Sequence, residues 1–194
     1  MIKSFQRLGI IIGAITLLSS CQTYKVSLTY NPPSLGQRII KGEPLIKLDK
    51  INDVRNLKGA EIGSIKNEFG IPIKSIYAKQ PVSEITKTAF SHALKSRNLL
   101  SENDAKYLLQ ADILQFECTQ FSAQNAECRI RVHLYQAKTG RLIFSQYYYS
   151  TKTKVSPNVS YWSKVDEIAS VASEALQDVV DRAVDDNRIR QIIK

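Results

Sequence analysis

Apolar and polar positions alternate in "YKVSLTY", where Val26, Leu28 and Tyr30 share one face, so residues 24–30 read as a short half-buried strand stopped by Asn31-Pro32-Pro33. A connector containing proline and glycine runs to Gly42. A second strand follows in "PLIKLDKINDVR", carried by Leu45, Ile46, Leu48 and Ile51. Residues 53–81 contain Gly59, Gly63, Gly70, Pro72 and Pro81, and only "IPIKSIYA" among them has the pattern of a strand. In "PVSEITKTAFSHALKSRN" the period changes. Val82, Ile85, Ala89 and Ala93 recur at helical spacing, Phe90 and Leu94 widen the stripe, and Pro81 suits a helix start. The stretch "SKVDEIASVASEALQDVVDRAVDD" repeats the helical pattern through Val165, Ile168, Ala172, Leu176, Val179 and Ala183, with Ser163 and Asp166 spaced as a cap. Each amphipathic helix is expected to cover one face of a sheet.

Between the helices, "LQFECTQFSAQNAECRIRV" predicts two strands around a loop near residues 122–124. If residues whose numbers sum to 246 face each other, Cys118 meets Cys128, Phe116 meets Ile130 and Leu114 meets Val132. Glu117 then meets Arg129 and Gln115 meets Arg131 on the opposite face. Upstream, Leu109, Ala111 and Ile113 are odd-numbered whereas Leu114 and Phe116 bring in the even face, which predicts a bulge near Asp112. "QAKTGRLIF" is a second hairpin signal with Gly140 at its turn, and the third strand continues through "SQYYYSTKT". The expected fold class is α+β: a mainly antiparallel sheet with a three-strand meander, covered by two amphipathic helices.

The N-terminus adds a different signal. Lys3 and Arg7 precede the uncharged run "LGIIIGAITLLSS", which is shorter than the roughly 20 residues a helix needs to cross a bilayer. A basic start, a short apolar stretch and small residues before a break describe a secretory signal. Leu18-Ser19-Ser20-Cys21 is similar to the bacterial lipobox. That resemblance implies cleavage before Cys21 and acylation of the cysteine, including palmitate, with two or more chains giving stable anchoring. It assigns residues 1–20 to a signal peptide, 21–42 to a lipid-anchored segment with the first strand and connector, and 43–194 to one periplasmic domain packed with strand 24–30. Gln22 is not the aspartate that retains such lipoproteins at the inner membrane, so the periplasmic leaflet of the outer membrane is expected.

Charge and cysteine content narrow the chemistry. The 194-residue chain carries +9; without residues 1–20 it has 174 residues and +7, because Lys3 and Arg7 leave with no acid. That length supports one domain with a real core. The basic residues are scattered among acids, and nucleic acid is not an expected partner of an exported chain. In an oxidising compartment, Cys118 and Cys128 read first as a disulfide, with two free thiols or a redox pair as the rival. His92 and His133 belong to no metal-spaced motif, and no nucleophile elbow or phosphate-binding loop occurs. No enzyme activity, cofactor, metal or small-molecule substrate is therefore expected. Tyr147, Tyr149 and Trp162, with Arg129 and Arg131, form the candidate contact surface, although aromatic residues in a sheet also serve as core.

The lipobox, "NDVR" (Asn52 to Arg55), a glycine-punctuated stretch, the helix "VSEITKTAFSHALKSRN", "ADILQF", "KTGRLIF" and an Ala/Val-rich final helix resemble YajG-like envelope lipoproteins. They are similar also to auxiliary lipoproteins of envelope ABC-transport systems. The resemblance implies a compact α+β domain on a lipid anchor, acting as a non-catalytic accessory in an envelope complex with a protein partner. No catalytic residues come with it, so Cys21 alone is carried over. A peptidoglycan- or polysaccharide-binding module is the alternative, favoured if Tyr147 and Tyr149 lie exposed beside Arg129 and Arg131.

Overall fold

The computed structural model describes residues 23–32, 42–57, 59–155 and 165–193. Its strands are β1 (Tyr24–Val26), β2 (Ile46–Asp53), β3 (Glu61–Lys66), β4 (Pro72–Ala78), β5 (Tyr107–Gln120), β6 (Gln124–Gln136) and β7 (Leu142–Lys154). Its helices are α1 (Val82–Ser96), α2 (Val165–Val184) and α3 (Asn187–Ile192). The strands form one sheet in the order β1-β4-β3-β5-β6-β7, with β2 also paired to β5. Both long helices lie on one face, α1 against β2 and α2 against β6 and β7, and they touch each other. Even-numbered residues of β6, from Ala126 to Leu134, are buried beneath them, while Arg129, Arg131 and His133 face away.

The α+β class and the meander β5-β6-β7 agree with the sequence; the sheet is mixed, with parallel pairings beside the antiparallel ones. β1 runs parallel to β4, and β2 and β3 run parallel to β5. Parallel neighbours need a long crossover, and β3, β4 and α1 supply one between β2 and β5. β3 was not predicted because Gly63 interrupts "EIGSIK". The glycine marks close backbone approach: a Cβ there would lie 1.9 Å from the Cys118 carbonyl oxygen, and φ is +141°. α3, capped by the Asp186 side chain accepting from Arg188 N–H at 2.8 Å, was also unpredicted. The expected Ser163 cap lies outside the described residues.

The Cys118–Cys128 disulfide does not form: both thiols are free and buried. Near the turn, paired residue numbers sum to 244, so Cys118 faces Ala126 and Phe116 faces Cys128. The cysteines share a face as diagonal neighbours, typically ~7–8 Å apart, beyond the usual disulfide span. The predicted contacts of Glu117 with Arg129 and Gln115 with Arg131 shift likewise. Glu117 faces Glu127, Gln115 faces Arg129, and Asp112 faces Arg131. The turn is centred on Ser122, one residue earlier than the predicted register requires, because Gln120 pairs with Gln124. The expected bulge exists, with the register shifting between Ile113 and Gln115.

Two buried arginines fasten the layers. Along one edge of β5, pairing passes from β2, which ends opposite Ile113, to β3, which begins opposite Cys118. Arg55, 3% exposed, fills this gap. It donates to the carbonyls of Glu61 (2.9 Å), Phe116 (3.0 Å) and Gly59 (3.1 Å), and forks onto Asp53 with two bonds of 2.8 Å. Arg97 closes α1, where Asn98 (φ 58°) and bonds from Asn98 N–H to Lys95 O and Leu99 N–H to Leu94 O make a Schellman end. Its fully buried guanidinium grips Asp185 through two bonds (2.9 and 2.8 Å) and Asp181 through one (2.8 Å), tying α1 to α2. Tyr30 donates to the same Asp181 at 2.6 Å and brings the chain after β1 into the network.

Candidate functional site

The face of the sheet opposite the helices carries the residues singled out as a contact surface. β6 and β7 pair antiparallel, placing Arg129 opposite Tyr149 and Arg131 opposite Tyr147, with all four side chains on that face. Tyr147 is 56% exposed and Tyr149 43%. Their neighbour Tyr148 points to the helices, where it donates to Asp186 at 2.7 Å. Alternation therefore splits the three tyrosines, giving one to the core and two to the open face.

Each exposed ring carries an arginine. The Arg129 guanidinium lies 5.3 Å from the centre of the Tyr149 ring, and that of Arg131 lies 5.7 Å from the Tyr147 ring. Arg131 also donates to the Tyr147 hydroxyl at 3.3 Å and pairs with Asp112 on β5 at 2.8 Å. Asp112 accepts from Asn52 on β2 at 2.8 Å and lies 3.3 Å from His133 Nε2. Burial pushes the Asp112 carboxyl up, but the bonds from Asn52, Arg131 and His133 outweigh it and hold its pKa below the usual value. A polar row thus runs across β2, β5, β6 and β7, holding Arg131 and its tyrosine in place. Asn52 and Asp112 were not expected to take part, because their meeting depends on the parallel pairing of β2 with β5, which local sequence pattern does not reveal.

Of the five candidate surface residues, Arg129, Arg131, Tyr147 and Tyr149 come together, while Trp162 lies outside the described residues. Cys21 lies outside them as well. A groove of about 490 Å³ between β2 and the outer side of α1 is lined by Lys47, Leu48, Glu84, Lys87, His92 and Glu102 among others, a mixture of both charges. His133 meets one carboxylate. Among the described residues, no group of three or more His, Cys, Asp and Glu side chains could hold a metal ion, and no helix is long and apolar enough to cross a membrane.

No protein-family model matches the chain, and no curated protein matches it. Solved structures match its fold. Protein XCC0632 from Xanthomonas campestris, of family-model DUF330, shares 15% identity over 87% of this chain and 97% of its own, with a TM-score of 0.65. The hypothetical protein CT253 from Chlamydia trachomatis shares 12% identity over 76% of this chain and 96% of its own, with a TM-score of 0.50. These likenesses show a shared fold, which agrees with the compact α+β domain implied by the YajG-like resemblance.

Proposed function

We propose that this chain is a lipid-anchored, periplasm-facing protein of the bacterial envelope that binds another envelope component through the open face of its sheet. In this reading it is an accessory subunit of a transport or assembly complex and performs no catalysis itself. The observation that carries it is the pairing of Arg129 with Tyr149 and of Arg131 with Tyr147 on an uncovered sheet face. Tyrosine and arginine are the side chains that most often anchor protein interfaces. Here they are preorganised, with Arg131 fixed by Asp112 and Tyr147 before any partner arrives. The lipobox-like Leu18 to Cys21 and the basic, apolar N-terminus support the anchor.

Tyr147 and Tyr149 do lie exposed beside Arg129 and Arg131, the arrangement expected of the alternative, so the same face also favours a second reading, a glycan- or peptidoglycan-binding module. Against it, an arginine already lies over one face of each ring, where a sugar would stack. In-cell crosslinking of the C-terminally tagged chain in its own host, followed by identification of what co-purifies from membranes, decides between them. One recurrent envelope protein is the expected result. Muropeptides or glycan without a protein partner would replace the accessory role with the binding module. Cys21→Ala should leave the precursor uncleaved, and normal processing of that variant would remove the anchor.

A further inference from the structure

The strand registers place five exposed apolar side chains on one rim of the sheet. Lys66, the end of β3, pairs with Pro72, so the β3–β4 turn lies at this rim with Phe69 and Ile71, 77% and 57% exposed, and Ile73 just beyond it. Ile65 is level with Gln120, which brings the β5–β6 turn and its exposed Phe121 to the same rim. Gln124 pairs with Lys154, adding exposed Val155. The opposite rim, at the β6–β7 turn, offers Leu142 from the same group of large exposed apolar side chains.

The β3–β4 turn is built to hold its apolar residues outward. The Asn67 side-chain oxygen accepts the N–H groups of Phe69 (3.0 Å) and Ile71 (2.9 Å), and its backbone exchanges bonds of 2.9 Å with Ile71 and Gly70. Turn positions ordinarily hold polar residues, yet this ordered turn reads "EFGIPI". Lys66, Lys74, Lys152 and Lys154 stand near the rim, with Glu68 and the α2 acids Asp166 and Glu167 also at that end.

The N-terminal end of β1 points toward this rim. β1 runs parallel to β4 with Tyr24 level with Ile76, so going back toward the N-terminus leads in the direction of Ile73 and the turn. Two residues, Gln22 and Thr23, separate Tyr24 from Cys21, a reach of at most about 11 Å. A lipid on Cys21 would therefore hold Tyr24 within about 11 Å of the bilayer surface, too close for a free tether. Charge at this rim nearly balances, so apolar insertion is the attraction.

We infer that the rim bearing Phe69, Ile71, Ile73, Phe121 and Val155 sits in the bilayer surface beside lipidated Cys21 and fixes the domain's orientation. The β2–β5–β6–β7 face then stands upright from the membrane, with Tyr147 and Tyr149 presented sideways to a partner. This inference rests on the lipid anchor of the proposed function.

The test uses the mature protein recovered from its host and reconstituted in phosphatidylcholine vesicles. Trp162→Phe removes the native tryptophan, and Phe69→Trp or Leu142→Trp supplies a single reporter on either rim. Brominated acyl chains should quench the reporter at position 69 several-fold more than the one at 142, and its emission should shift to the blue. Phe121→Trp should behave like Phe69→Trp and stands in if that variant folds poorly. Equal, weak quenching on both rims of vesicle-bound protein would overturn the inference while leaving the anchor intact. A shielded reporter that bromine does not quench would also overturn it, by placing a second copy or another protein on the rim. The intact mass of the same preparation reports acylation, and a chain without lipid on Cys21 would overturn anchor and orientation together.

Discussion

Arg55 donates to the Phe116 carbonyl at 3.0 Å, at the point where the edge of β5 is handed from β2 to β3. A carbonyl in such a gap has no strand partner, and a buried unpaired polar group costs about 1–3 kcal/mol. One guanidinium satisfies Phe116, Glu61 and Gly59 together and takes its counter-charge from Asp53. Arg55→Met leaves three carbonyls and a carboxylate without this donor, and should cost about 3–5 kcal/mol in urea unfolding. Arg55→Lys should recover a minor part of that, because an ammonium cannot reach all four acceptors. A loss below 1 kcal/mol for the methionine variant would contradict this role.

Gly63 and Cys118 lie so close that any side chain at 63 meets the neighbouring backbone, 1.9 Å from the Cys118 carbonyl oxygen. Gly63→Ala should therefore destabilise by about 3 kcal/mol or more, since strand backbone has to move. Gly70→Ala is the comparison: its φ of +77° strains a side chain, but nothing lies within 4 Å, so about 1 kcal/mol is expected. Equal losses at the two sites would contradict the crowding.

Cys118 and Cys128 should titrate as two thiols with a thiol-reactive reagent, and only after unfolding. Burial pushes the Cys118 thiol up to about 12 and raises Cys128 as well. The neutral thiol is the form the core holds, so the stability it contributes is complete below the unfolded value of about 8.5 and is lost as pH rises toward 12. Cys118→Ala should reduce the alkaline fall in stability by up to about 1.4 kcal/mol per pH unit. Rapid labelling of the native protein at pH 8, or a two-proton mass deficit without reductant, would contradict the free, buried pair.

The cysteines also show where sequence stops being enough. Cys118, Phe116, Cys128 and Ile130 were legible as one buried face, because alternation fixes which way a strand's side chains point. A register shifted by two in the sum keeps that face unchanged, so apolar pattern could not distinguish 246 from 244. A turn centred on Ser122 rather than Ala123 makes that choice. The change of parity after Ile113 did reveal a bulge, since it is a local feature of one strand. β3 was hidden by Gly63, whose meaning lies in Cys118, 55 positions away. "NDVR" belongs to the family-like pattern, and the fold gives it a physical purpose: Asp53 and Arg55 form the pin in the β5 edge. Among the contact residues, alternation placed Tyr147 and Tyr149 together. Their arginine partners followed from the β6–β7 register, and the Asn52–Asp112 support came from parallel pairing that only the whole chain specifies.

The most direct test of the central claim, that the open sheet face is where this protein meets its partner, is residue-specific photo-crosslinking in the native host. A photoreactive side chain replaces Tyr149 in one strain and Ser170, exposed on the outer side of α2, in another. The account predicts one recurrent envelope-protein adduct from position 149, lost when Arg129→Glu and Arg131→Glu are added, and none from position 170. Adducts from 170 alone, or adducts at 149 that survive both charge reversals, would contradict it.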